Sequence, residues 1–230
     1  MSRSAEKDLR NKLRLENQFR TRLGRILMDP ISIQTRLLER FLLGHYTRTY
    51  DGFKNTFQNR RDVEMTKFQR LRMRDYTQGE FDQRAVRQAK LITDNTRKIL
   101  TGIQKLDIPM QEQRNMFQFR MGIRATRIVT TETEWSAERT KMREVQFLQN
   151  GPNEENSGKK RWDIIGDDRM REHHLDSANQ LVSVDSPFVV ADELLMFPGD
   201  TDLGASAGNI INCRCSAFYS VPKKFLTKIA

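Results

Sequence analysis

The chain has 230 residues, of which 40 are Lys or Arg and 30 are Asp or Glu, giving a formal net charge of +10. No apolar run approaches the roughly 20 residues a bilayer-spanning helix needs, and the opening MSRSAEKDLRNKLRLEN has no apolar core, so a soluble protein made in the cytoplasm is expected. Two cysteines, Cys213 and Cys215, are too few for a disulfide framework.

The first half reads as helix. Residues 4–27 carry Leu9, Leu13, Leu23 and Leu27 at near-helical steps among charges. Pro30 ends this segment, because the residue before a proline is pushed out of helical geometry. From residue 31 to 76 a stripe runs Leu38, Leu42, Tyr46, Phe53, Phe57, with Met65, Phe68 and Leu71 beyond. Another follows Gly79: Phe81, Ala85, Ala89, Ile92, Ile99, Ile103. Asp107 and Pro109 mark the start of a helix carrying Phe117, Ile123 and Ile128. One-sided stripes bury little alone, so these helices are expected to form an arm or bundle that completes its core against other chains.

Charge divides the chain. Residues 1–150 hold 31 basic and 18 acidic side chains, a net of +13, whereas 151–230 hold 9 and 12, a net of −3. The sign changes at QNGPNEENSGKK, which reads as a linker. The expected organisation is a basic helical region over 1–148, a linker over 149–160 and a C-terminal domain over 161–230. Arg10, Lys12, Arg14, Arg20, Arg22 and Arg25 crowd the first helix, and Arg70, Arg72, Arg74, Arg84 and Arg87 a later one. They suit non-specific contact with double-stranded DNA through its phosphates. A solvated helix face with ion pairs such as Glu6 with Arg10 is the plainer alternative.

The second half is more idiosyncratic. Trp162 is followed by Asp167-Asp168-Arg169, Arg171 and His174, then Gln180, Pro187-Phe188, Pro198-Gly199-Asp200 and the run Asn209 to Cys215 ending Asn212-Cys213-Arg214-Cys215. Upstream stands RATRIVTTETEW, Arg124 to Trp135. This order resembles the phage Mu F-like minor head (head morphogenesis) proteins, whose C-terminal domain carries a Trp, D-x-R-x-R-x-x-H, a D-G-Q turn, P-F-x-V-G-G-E-x-L-x-Y-P-G-D and N-x-x-N-C-R-C. The resemblance covers roughly residues 114–220. The chain departs from it at Ala178-Asn179, where relatives have D-G, and at Ala191-Asp192-Glu193 in place of G-G-E. Asn tolerates φ > 0, so the first turn is expected to survive.

The resemblance implies a minor capsid protein of a tailed phage, held inside the virion after assembly in the host cytoplasm. It implies a place in the procapsid near the portal and a role in head assembly and in DNA packaging, retention or ejection. Implied partners are the portal protein, the major capsid protein or scaffold, and double-stranded DNA, with multiple copies in the assembly and no membrane. The fold class is α+β: a long helical arm or bundle, then a small mixed domain with a short antiparallel sheet. Strands are expected at 161–165, 186–190, 193–197 and 213–221.

Three chemistries suit the motif residues. Zinc needs four N or S ligands, and His174, Cys213 and Cys215 supply three. Some Mu F-like relatives carry C-x-x-C and H-P-x-C-R-C, where this chain has Arg171, His174 and Ile210. A DNA-binding or nuclease-type enzyme would use Asp168, His174 and Cys213. The architectural reading is preferred, with no catalysis and no required cofactor. In it Trp162 anchors a core with Phe188, Leu195, Phe197, Ile211 and Phe218, while Asp168, Arg171, His174 and Asn212 lock the loops by hydrogen bonds. The two cysteines are read as thiols, since a disulfide between residues i and i+2 is strained.

Overall fold

The structure is a computed structural model. It describes residues 3–54, 56, 65–149, 158–164 and 170–221. Phe57, Ile165 and Asp167, Asp168 and Arg169 lie outside that set. The elements are α1 (Arg3–Met28), α2 (Ile31–Phe53), α3 (Lys67–Gln104), α4 (Met110–Leu148), β1 (Lys159–Asp163), α5 (Glu172–Asp176), β2 (Leu181–Ser183), β3 (Phe188–Val190), β4 (Glu193–Leu195), α6 (Ala207–Ile210) and β5 (Ser216–Ser220).

Local chemistry sets the helix ends. Pro30 separates α1 from α2. Thr66 and Gln69 form a reciprocal capping box that starts α3. Pro109 precedes α4, and the Gln113 amide reaches back to the Leu106 and Ile108 carbonyls. Gly79 does not interrupt anything. It lies exposed inside α3, so Met65, Phe68 and Leu71 lead into that helix and do not continue the one before it.

The four long helices close on one another. Phe19 meets Phe41, and Asn11 meets Gly52, so α1 and α2 run antiparallel. Thr35 with Thr93 and Tyr46 with Phe81 set α2 against α3 in the same sense. Arg84 with Glu132 and Arg124 with Ile92 do so for α3 and α4, and Glu16 with Thr130 and Lys12 with Glu134 for α1 and α4. The bundle buries most of its stripes within one chain, where completion against other chains was expected, and leaves Leu13, Phe68, Leu71 and Ile123 exposed.

The α1 core face is Leu15, Phe19, Leu23 and Ile26, continued toward the N-terminus by buried Asp8 and Lys12. Leu13 points outward, as do Phe68, Leu71 and Ile123 on later helices. Apolar spacing found Leu23 and Leu27, both fully buried, and missed the N-terminal part of the face, where two positions are charged.

In the C-terminal region β1 is the centre of an antiparallel sheet ordered β2-β1-β5, with Arg161 opposite both Leu181 and Phe218. The short β2 was not anticipated. The strand expected from residue 213 begins at Ser216, and the one expected to reach 197 ends at Leu195. β3 and β4 form a two-residue hairpin across Ala191 and Asp192, both at positive φ (49° and 62°). That is the geometry of a type I′ turn, for which glycine is the usual residue. Asn179 likewise takes φ 64°, as expected for the altered turn.

Trp162, Phe188, Leu195 and Phe197 are fully buried. Two expected core members differ. Ile211 is exposed, its place inside taken by Ile210, and Phe218 is half-buried because Ala217 and Tyr219 occupy the inner face of β5. The core runs without a break from the bundle into this region along α4.

Candidate functional site

The second half of α4 explains how helices and sheet are joined. From Glu132 to Met142 every residue is buried, because α1, α2 and α3 pack on one side and β5 and the 197–202 loop on the other. This stretch carries Glu132, Glu134, Glu138, Arg139 and Lys141, and buried charges persist only when paired. Lys12 from α1 donates to Glu134 at 2.7 and 2.8 Å and to Glu138 at 2.9 Å. Lys141 reaches Asp8, Glu138 and the Ser216 hydroxyl. Glu138 accepts from Ser216 and from the Ala217 amide of β5.

Burial opposes the charge on Lys12, but Glu134 and Glu138 overcome it and hold its pKa well above the ordinary lysine value. Burial drives Glu134 upward, whereas Lys12 and Lys141 outweigh burial at Glu138 and bring it down. A second knot joins Arg84 to Glu132 at 2.7 and 3.1 Å, with the Tyr46 hydroxyl donating to the same carboxylate at 2.5 Å. Arg84 also stacks 4.0 Å from the Trp135 ring and donates to Thr201. Arg139 pairs with Asp202 and Glu80. The Pro198-Gly199-Asp200 loop presses on this helix: a Cβ on Gly199 would stand 3.1 Å from Glu134 Cγ, at a φ of 83°.

The motif residues converge beside the same sheet, on the face that Trp162 shares with its partner Ala217. His174, on α5, places Nδ1 3.4 Å from Cys215 Sγ and 3.7 Å from Cys213 Sγ, with all three residues buried. Its Nε2 faces Asn209 Oδ1 at 3.3 Å. The Asn209 amide nitrogen donates to Val190 O and to Glu193 Oε2, which also receives the Ser206 amide and hydroxyl. The Ser206 amide, then Asn209, lower the Glu193 pKa. Nε2 therefore carries a hydrogen toward Asn209, and Nδ1 faces the two sulfurs. Trp162 closes the group, edge-on to His174 at 5.6 Å and to Phe188 at 5.2 Å. Arg171 donates to the Ile211 carbonyl.

Of the expected polar lock, Asn212 contributes no side-chain bond among the described residues. Its side chain is exposed, and its role is a left-handed φ of 56° that turns the chain into Cys213. Asn209 and Glu193 were missed, although both stand inside the recognised pattern. Arg214 is half-buried and lies near enough to Glu16 to favour its charge.

His174, Cys213 and Cys215 could chelate a metal ion, since their ligand atoms all lie within 4.8 Å of one another. The N···S separations bracket the edge of a tetrahedral zinc site, about 3.6 Å from ordinary bond lengths. Asn209 would be the outer partner orienting the imidazole. The described residues supply three ligands, one short of a closed structural site. Without an ion, the adjacent Cys215 sulfur and burial push the Cys213 thiol well above its usual range. Catalysis on a phosphate is not favoured, because the cluster is sealed from solvent.

The phage Mu protein F like family matches residues 56–218. The chain belongs to that family. The match extends the likeness back from residue 114 to include all of α3 and the start of α4, and leaves α1 and α2 outside it. It ties the chain, in general terms, to phage head morphogenesis, a structural task. No curated protein and no solved structure matches the chain.

The basic residues sort by burial. Arg10, Arg14, Arg20, Arg22 and Arg25 on α1 and Arg70, Arg72 and Arg74 on α3 are exposed. Lys12 is not: it is turned into the bundle by Glu134 and Glu138, which removes it from any DNA-facing set. No described helix is long and apolar enough to cross a membrane.

Proposed function

We propose that this Mu F-like chain is a minor head protein built into the procapsid near the portal, where it assists head assembly and the packaging, retention or ejection of DNA. Residues 161–230 act as the docking domain and residues 1–148 as the basic region toward the genome or shell, with 149–160 joining them. The portal protein, the major capsid protein or scaffold, and double-stranded DNA are its partners. The exposed arginines of α1 and α3 carry this reading, since phosphate contact requires accessible positive charge and nothing sequence-specific. The buried cluster at His174 supports an architectural or metal-stapled domain over an enzyme.

Full-length protein is tested for cosedimentation with purified portal rings, and by fluorescence anisotropy on duplex DNA across a salt series. Portal binding together with weak DNA binding that collapses with salt, and that Arg20→Glu/Arg22→Glu/Arg25→Glu diminishes, upholds the reading. Tight, salt-resistant, sequence-selective DNA binding without portal binding would replace it with a regulator.

A further inference from the structure

The long side of the α3–α4 hairpin carries a groove of about 870 Å³, closed at one end by residues 201–211. Its α3 wall is Gln88, Leu91, Ile92, Asn95, Lys98 and Ile99, and its α4 wall is Arg120, Ile123, Arg124, Arg127, Ile128 and Thr131. Each set recurs at threes and fours, so each is one helical face. Sequence spacing assigns Ile99, Ile123 and Ile128 to the core. In the fold the buried line of α4 is Met121, Ala125 and Val129; Ile99 and Ile128 pack against the edge of the core while lining the groove, and Ile123 is exposed in it. Leu91, Ile123 and Ile211 are between 41% and 54% exposed along it.

The edge of the groove is uniformly basic. Arg84 is neutralised by Glu132, but Lys98, Arg120, Arg124 and Arg127 form no ion pair among the described residues. Arg124 is the most telling. It is half-buried, its guanidinium held by the Thr96 hydroxyl at 2.8 Å and the Ile92 carbonyl at 3.1 Å, with burial lowering its pKa. Buried Lys12, Arg84, Arg139 and Lys141 each pair with a carboxylate, whereas Arg124, like buried Lys160, meets only neutral oxygen acceptors.

We propose that this groove is the docking site for an amphipathic helix of a partner protein, with aliphatic side chains on the inward face and Asp or Glu along its flanks. The apolar floor fits the helix-in-groove mode of recognition, and the unpaired cations fit acidic flanks. A phosphate backbone would use the arginines but leave Leu91, Ile123 and Ile211 in water. Each wall spans positions 88–99 or 120–131, which at the helical rise is about 17 Å, enough for three turns of the incoming helix.

The test uses the full chain and a fluorescein-labelled, hydrocarbon-stapled 16-residue probe carrying Leu at helical a/d spacing and Glu on both flanks. Its controls are a scrambled probe of equal composition and a 20-base-pair duplex. Expected are saturable anisotropy binding, at least about tenfold weaker binding of the scrambled probe, and a similar loss with Arg120→Glu/Arg127→Glu at unchanged melting temperature. Replacing the flanking Glu of the probe by Lys should restore binding to that charge-reversed variant. Ile123→Ser should weaken the helical probe and leave duplex binding unchanged. Absence of binding by the helical probe overturns the proposal. Equal binding of the scrambled probe, or full displacement by duplex with Ile123→Ser silent, overturns it in favour of a simple polyanion surface.

Discussion

Lys12 of α1 and Glu134 of α4 meet at 2.7 and 2.8 Å inside the protein, both almost completely buried. Their contact ties a helix outside the family match to the helix whose Glu138 bonds β5. A buried pair is weak as a source of net stability but costly to break by halves, because the remaining charge is stranded. Lys12→Met is therefore expected to lower the unfolding free energy by about 3 kcal/mol. Lys12→Met/Glu134→Gln should recover part of that loss, since Glu138 retains Lys141. Urea denaturation of the single and double variants measures the difference. An equal loss in both would show that packing, not charge, dominates at Lys12.

The β3–β4 turn makes the opposite prediction. Ala191 and Asp192 both hold positive φ, where the Cβ of an L-residue is crowded by its own backbone. Ala191→Gly removes that strain and is expected to raise stability by about 1 kcal/mol, offset slightly by the greater freedom of glycine in the unfolded chain. Ala191 is exposed, so nothing else is lost. A higher urea midpoint at unchanged slope confirms it.

Gly199→Ala should do the reverse. Position 199 needs a positive φ, and the added methyl would press on Glu134 Cγ. The expected loss is about 2 kcal/mol from strain and displaced packing together. The loss should shrink in Glu134→Ala, where the opposing side chain is gone. Thermal melts of the four-member cycle give the coupling directly.

What the sequence made legible follows from which forces act locally. Helix boundaries at Pro30 and Pro109 were readable because proline acts on its immediate neighbours, and Asn179 because a side chain tolerant of φ > 0 stands at the turn. The burial of α4 from Glu132 to Met142 was not readable, because a charged stretch looks solvated until partners from α1, α3 and β5 are brought to it in space. For the same reason Lys12 read as surface charge. In the site, His174, Cys213 and Cys215 were grouped correctly from the resemblance, whereas Asn209 and Glu193 acquire their roles only when α6 and the β3–β4 hairpin pack together. The fold also separates Ile123 from the core, since helical spacing defines a face and cannot say what covers it.

His45 predicts an acid weakness. It is buried against Phe19 and Phe41, with Nε2 bonded to the Thr133 hydroxyl and Nδ1 without a partner among the described residues. Burial, aided by Arg48, lowers its pKa from 6.5 to about 3. Between those values the unfolded chain binds a proton that the folded protein refuses. Stability therefore falls as pH drops from 6.5 toward 3 and levels off below, by about 5 kcal/mol at most. His45→Leu should flatten the slope over that window while costing the Thr133 bond at neutral pH. Urea midpoints at a series of pH values distinguish the two effects.

Lys160 weakens the same fold at the other end of the scale. Its ammonium is buried against Phe188 and donates to the Met196 carbonyl at 2.6 Å. Burial brings its pKa from 10.5 down to about 7, against the opposing pull of Asp200 and Asp185. Between pH 7 and 10.5 the unfolded chain again holds the extra proton, so this lysine makes stability rise as pH rises through that window. Lys160→Met keeps the buried stem, removes the charge and leaves the Met196 carbonyl without this donor. It is expected to raise stability at pH 7, with a gain over the natural protein that shrinks toward pH 10. A gain that stays constant across the window would mean that Lys160 does not titrate there, and that its methylene packing alone sets its contribution.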